Sequence, residues 1–140
     1  MIILDTNVVS ALMKPIENGA VVAWLDQQPS VSVWTTAITI LEVRFGLMLL
    51  PSGRRRMALE KAFDAVITED LEDRVLAFDS AAADAAASLA VTYRRTGRQV
   101  DTSDIQIAGI AVARKATIAT RNVKDFDDPS IQIINPWRPI

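Results

Sequence analysis

An uninterrupted apolar run, Ile2-Ile3-Leu4, passes directly into a carboxylate, a hydroxyl and an amide at Asp5-Thr6-Asn7. A run without polar alternation suits a strand buried on both faces, and such strands belong to parallel sheets covered by helices. In open α/β sheets ligands bind beyond the carboxyl ends of the strands, which puts Asp5 at the rim where chemistry is done. The same residues equally suit a turn and a helix cap, because Asp, Thr and Asn all accept hydrogen bonds from early helical amides.

The pattern then repeats along the chain. A short helix is predicted over residues 8–13, stopping before Lys14-Pro15, and a second over residues 21–27, stopping before Pro29. Residues 31–34 alternate as a second strand and lead into a long apolar helix that Pro51-Ser52-Gly53 stops near Leu50. Arg54-Arg55-Arg56 opens another helix through Ala65, and the three arginines suit a solvated turn or a binding patch. Residues 74–79 read as a third strand ending in Asp79, residues 80–93 as an Ala-rich helix carrying Asp84, and Asp101-Thr102-Ser103-Asp104 as the start of a last helix. Strands at residues 117–120 and 131–134, the latter at an edge, complete the order. Strands separated by helices long enough to cross over predict an α/β fold with a parallel sheet covered on both faces.

Half of the 140 residues are hydrophobic and no Gly/Ser-rich or Pro-rich stretch divides them, so a single domain over residues 1–140 is expected. There is no cysteine and no histidine, which excludes thiol nucleophiles, disulfides, Cys/His zinc sites and imidazole proton shuttles. Chemistry must come from carboxylates, hydroxyls, Lys, Arg or a hard metal ion. No apolar stretch reaches the roughly 20 residues of a spanning helix and no signal peptide precedes Asp5, so no membrane association and a cytoplasmic address are expected. With 15 Lys plus Arg against 17 Asp plus Glu, a polyanion would need local cationic patches or metal ions.

Six acids fall at strand ends or helix starts: Asp5, Glu42, Asp79, Asp84, Asp104 and Asp125. If the first, second and fourth strands are neighbours, then Asp5, Glu42, Asp104 and the loop after Thr120 face one cleft. Carboxylates gathered without a cation raise one another's pKa, and a divalent ion with all-oxygen ligands, Mg²⁺ or Mn²⁺, relieves the repulsion. Such a site suits phosphodiester hydrolysis without histidine, with Arg44, Arg121 and Lys124 available to hold phosphates or to act as plain surface charges. Glu42 has a structural alternative, since Thr39 and Glu42 stand at the spacing of a capping box. The helices around Phe45, Leu47, Met48, Leu49 and Leu50 carry more apolar surface than one helix needs, which points to a partner subunit or a bound peptide.

The motifs Ile3-Leu4-Asp5-Thr6-Asn7, residues 36–46 around Glu42, Asp104 with Ile107-Ala108, residues 119–126 from Ala119 to Phe126, and the closing Asn135-Pro136-Trp137 resemble the PIN domain. Within that superfamily the chain is similar to the VapC toxins of type II toxin–antitoxin modules, most of all their FitB-like branch. The resemblance implies a three-layer α/β/α sandwich with a five-stranded parallel sheet of order 3-2-1-4-5, and Mg²⁺- or Mn²⁺-dependent ribonuclease activity. It implies an acidic triad of Asp5, Glu42 and Asp104 that is both catalytic and metal-ligating, with Thr6, the hydroxyl beside the first acid, expected to touch substrate. Many members place a fourth Asp where this chain has Asn122, so a second metal site has one carboxylate fewer unless Asp125 supplies it. The resemblance further implies a homodimer, to which Trp137 and the Ala-rich helix contribute, and a cognate antitoxin along the apolar hairpin from Phe45 to Leu50.

Two other doubly wound phosphotransfer folds place acids at strand ends. A phospho-receiver would have paired acids after the first strand and a haloacid-dehalogenase-type phosphatase Asp-x-Asp, and Thr6-Asn7 fits neither. A PIN fold kept as a catalytically weakened binding module is the remaining alternative, which Asn122 favours and the retained Asp5, Glu42 and Asp104 oppose.

Overall fold

The computed structural model describes residues 1–139. The apolar runs form strands β1 (Ile2–Leu4), β2 (Val33–Thr36), β3 (Val75–Leu76), β4 (Thr117–Ala119) and β5 (Gln132–Ile134). Between them lie helices α1 (Thr6–Leu12), α2 (Gly19–Asp26), α3 (Ala37–Leu49), α4 (Arg54–Ala65), α5 (Ser80–Arg95) and α6 (Thr102–Arg114). Every strand pair is parallel and the order is β3-β2-β1-β4-β5, as the family resemblance implies. Among the described residues no helix is long and apolar enough to cross a membrane.

Successive strand residues point to opposite faces, and here each face finds its own helices. Ile3 and Ile118 join Leu89 of α5 and Ile107 and Ile110 of α6 in one cluster. Leu4 and Ala119 join Val8, Val9, Val21 and Phe63 from α1, α2 and α4 in the other. Each fully buried branched or aromatic side chain contributes about 2 kcal/mol, so both layers are driven together by apolar burial. Pairing of Leu4 with Ala119 and of Ala119 with Ile134 aligns the carboxyl ends. Asp5, Thr36 and Thr120 therefore leave the sheet at one rim.

Local chemistry moves some boundaries. Val31 and Ser32 were expected in β2, but Ser30–Ser32 is a turn in which Ser32 donates through its amide and its hydroxyl to the Pro29 carbonyl, at 2.9 and 2.7 Å. The third strand shrinks to Val75–Leu76, because Asp79 accepts from the Ala82 amide at 2.9 Å and becomes the cap of α5. At α3 the capping residue is Thr36, which accepts from the Thr39 amide at 3.1 Å. The Thr39–Glu42 capping box does not form, and Glu42 lies in the second turn with its carboxylate free for other partners.

Candidate active site

Asp5 is the first residue past β1 and only 3% exposed. Its amide extends the ladder to the Ala119 carbonyl at 3.0 Å, while its Oδ1 accepts from the Thr6 amide at 2.8 Å. Its Oδ2 accepts from the Thr120 hydroxyl at 2.8 Å and from Asn7 Nδ2 at 3.3 Å. Asp5 thus caps α1 and at the same time lines the pocket at the rim beyond the strand ends. Burial raises its pKa above the ordinary carboxylate value; the bonds from Thr120 and Thr6 work against the rise, and the charges of Glu42 and Asp125 add to it.

Glu42 reaches the same rim from α3, where its Oε1 accepts from the Thr6 hydroxyl at 2.7 Å. Thr39 Oγ1 stands 3.3 Å from Thr6 Oγ1, which ties the starts of α1 and α3 together. Thr6, expected to touch substrate, spends its one proton on Glu42. Asp104, in the first turn of α6, is pushed up to about 7, chiefly by burial and then by Asp5, Asp125, Glu42 and Asp101. Asp125 arrives on the helical turn Val123–Phe126 after β4. The acids meet in a pocket of about 280 Å³ lined by Asp5, Glu42, Asp101, Asp104 and Asp125, with Thr6, Asn7, Ser103 and Asn122. No Lys or Arg is in that lining.

The other expected residues go elsewhere. Asp79 pairs with Arg114 at 3.4 Å and Asp84 is exposed on α5. Arg44 pairs with Asp64 at 2.5 Å and lies over the Phe63 ring, so it does not face the pocket. Arg121 is exposed and stacks on Trp137 at 4.3 Å, which commits Trp137 within its own chain. Lys124 lines a shallow depression with Arg121, Asn122 and Asp125 at the outer edge of the acids. Four contributors were missed from sequence. Thr120 orients Asp5 and accepts from the Asn122 amide at 3.0 Å; Asn7 bonds both Asp5 and the Arg121 amide; Asp101 adds a fifth carboxylate. Arg98 donates to the carbonyls of Lys124 and Asp127, each at 2.7 Å, and so pins the turn that carries Asp125.

Among the described residues no three acidic side chains stand close enough to enclose an ion unaided. The donor set nevertheless suits Mg²⁺, which keeps several waters and is held through one or two carboxylates. The pocket supplies oxygen donors only, and the charges of Asp5, Asp125, Glu42 and Asp101, which add to the burial-driven rise at Asp104, make a negative field that a divalent cation would offset.

The PIN domain family matches residues 2–130 of this chain. The chain belongs to the PIN domain family. Among relatives of this PIN domain, "VapC ribonuclease Y4jK" of Sinorhizobium fredii is 39% identical over 139 residues, covering 99% of each chain. "Toxin FitB" of Neisseria gonorrhoeae is 34% identical over 137 residues, covering 98% of this chain and 99% of the relative. The crystal structure of FitAcB from Neisseria gonorrhoeae superposes with a TM-score of 0.87 at 34% identity, covering 99% of each chain. Outside its acidic rim, the PIN domain exposes an apolar row on α3 and α4: Leu41 (64%), Phe45 (62%), Met48 (65%), Leu49 (70%) and Met57 (70%). Leu47, expected in that row, is 6% exposed and packs in the core, as does the partly buried Leu50.

Proposed function

We propose that this PIN domain is a metal-dependent endoribonuclease and the toxin of a type II toxin–antitoxin module. The observation that carries the reading is the gathering of Asp5, Glu42, Asp101, Asp104 and Asp125 in one cation-free pocket beyond the strand ends. Asp5 and Asp104 would hold Mg²⁺ or Mn²⁺, and Asn122 and Asp125 of the same pocket would be available as further oxygen donors. The bound ion supplies Lewis-acid stabilisation of charge on the phosphodiester. Glu42, kept in place by Thr6, accepts a proton from the attacking water and orients it. Incubation of end-labelled RNA with the purified protein in Mg²⁺, Mn²⁺ or EDTA tests the reading. Discrete fragments that EDTA abolishes are expected, and fragments that persist in EDTA would remove the metal from the mechanism.

Proton linkage gives a second test. Asp104 titrates near 7 instead of its ordinary 3.8, so the folded protein binds more protons than the unfolded chain between those values. Stability of the metal-free protein therefore falls as pH rises through that window and levels above it. Metal must displace that proton, so affinity for Mn²⁺ should rise up to about tenfold per pH unit below 7 and then flatten. Calorimetry near pH 6, in buffers of different ionisation heat, should count about one proton released per ion. Equal affinity on both sides of neutrality would show that Asp104 is not a ligand.

The exposed row on α3 and α4 is where a cognate antitoxin segment docks in this reading, since an apolar stripe at helical spacing fits an amphipathic partner. Replacing Phe45 and Met48 together by Ala should weaken antitoxin binding by about thirtyfold or more, the loss of about 2 kcal/mol typical of an interface anchor. Cleavage of RNA by the free toxin should persist. Affinity that stays unchanged by calorimetry would move the interface off α3. A homodimer accompanies this reading, and sedimentation of the same variant reports whether that row also joins two copies.

A further inference from the structure

A second cleft of about 420 Å³ opens directly on the acidic pocket, because Thr6, Asn7 and Glu42 line both. Its walls come from α1, α3 and the C-terminal segment, and its volume lies in the range of small-ligand sites, about 300–1,000 Å³. Its charge is the opposite of its neighbour's. Lys14 and Arg121 line it, neither has a carboxylate partner among the described residues, and Glu42 is its one acid, already engaged by Thr6.

We propose that this cleft is a nucleotide subsite for RNA, taking the nucleotide beside the scissile phosphodiester, with its base against the Arg121–Trp137 pair and its phosphate at Lys14. The proposal rests on the ribonuclease reading above. A pocket of five carboxylates repels a polyanion, so the chain on one side of the reacting group must be held by cations placed next to it. Proteins read single-stranded RNA by stacking bases on aromatic rings or guanidinium planes. The Arg121 guanidinium lies over the Trp137 ring at 4.3 Å, and the exposed Arg121 lines the cleft together with Trp137, so a base entering the cleft meets the pair. Base edges would find polar groups in the same wall. Asn18 spends its Nδ2 on the Lys14 carbonyl, which leaves its Oδ1 free to accept, and the Ser10 hydroxyl is exposed.

The test uses Lys14→Ala and Arg121→Ala in the full chain. In steady-state cleavage of single-stranded RNA with Mg²⁺, each should raise KM at least about tenfold with kcat within about threefold, because uniform substrate binding is lost. Arg121→Ala should also change which bases flank the cuts. In the Asp5→Asn background AMP, GMP, CMP and UMP are titrated in turn, with the Trp137 indole N–H followed by NMR. Saturable shifts that differ among the four bases and weaken at least about fivefold in Lys14→Ala are expected. Unchanged KM together with no shift at Trp137 overturns the subsite. So does a pair of variants that cleave and bind nucleotides normally yet lose an antitoxin segment, which would give the cleft to a protein. If the wild type cleaves no RNA, the ribonuclease reading falls by itself, while the nucleotide titrations still decide for or against the cleft.

Discussion

Asp5→Asn should lower RNA cleavage about a thousandfold while leaving the protein folded. The replacement keeps the shape of the side chain and removes its charge. Lewis-acid assistance at a phosphodiester is worth several kcal/mol, and roughly 4 kcal/mol corresponds to that loss in rate. The hydrogen bonds argue for a defect confined to the site. Asn retains an oxygen for the Thr6 amide, and its new N–H₂ meets Thr120 and Asn7 where Asp5 Oδ2 accepted from both. One donor facing another costs about 1–3 kcal/mol, offset in part because a charge no longer has to be buried. Asp79→Asn is the matching control. Asp79 follows a strand as Asp5 does, but it caps α5 and pairs with Arg114 away from the pocket. Asn caps a helix nearly as well as Asp, so cleavage should be unaffected. Equal loss in the two variants, or none in Asp5→Asn, would remove the acidic pocket from the chemistry.

The contrast between Asp5 and Asp79 also marks how far the sequence could be read. Apolar runs that end in polar residues reveal a parallel α/β sheet because burial on both faces leaves no polar alternation, and the observed strand order agrees with the family resemblance. Which strand-end acids converge depends on strand order, and β1 and β4 are neighbours at the centre while β3 lies at the edge. That is why Asp5 and Asp125 share a pocket that Asp79 never reaches. Competition among hydroxyls was not legible. Both Thr36 and Thr39 could cap α3, and the end of β2 decides for Thr36, which frees Glu42. Long-range pairs were hidden for the same reason: Arg44 with Asp64, Arg98 with the carbonyls of the Asp125 turn, and Arg121 over Trp137 each join elements whose approach is set by tertiary packing. The periodicity of α3 marks an apolar helix, yet only packing shows that Leu47 turns inward and Phe45 outward.

Helix approach likewise gives one glycine an importance that its sequence context hides. Gly109 of α6 lies so close to α5 that an added Cβ would stand 2.5 Å from the Ala82 carbonyl oxygen and 2.7 Å from the Ala86 Cβ. A methyl in a helix interior ordinarily gains about 1 kcal/mol over Gly. Overpacking costs about 1–3 kcal/mol and sits at the upper end here, because the atoms met are backbone and Cβ and cannot rotate away. Gly109→Ala should therefore destabilise by about 2 kcal/mol in urea unfolding with an unchanged slope. Gly46→Ala in α3 is the opposite case, since an added Cβ meets nothing within 4 Å, and it should stabilise by up to about 1 kcal/mol. Helix α6 also carries Asp104 in its first turn, so relief of the clash at Gly109 moves a proposed metal ligand. A displacement approaching 1 Å costs about a hundredfold in a positioned reaction, so kcat of folded Gly109→Ala should fall along with its stability. A variant as stable as the wild type would mean that α5 and α6 separate freely, and the close packing of the two helices would then not be what positions Asp104.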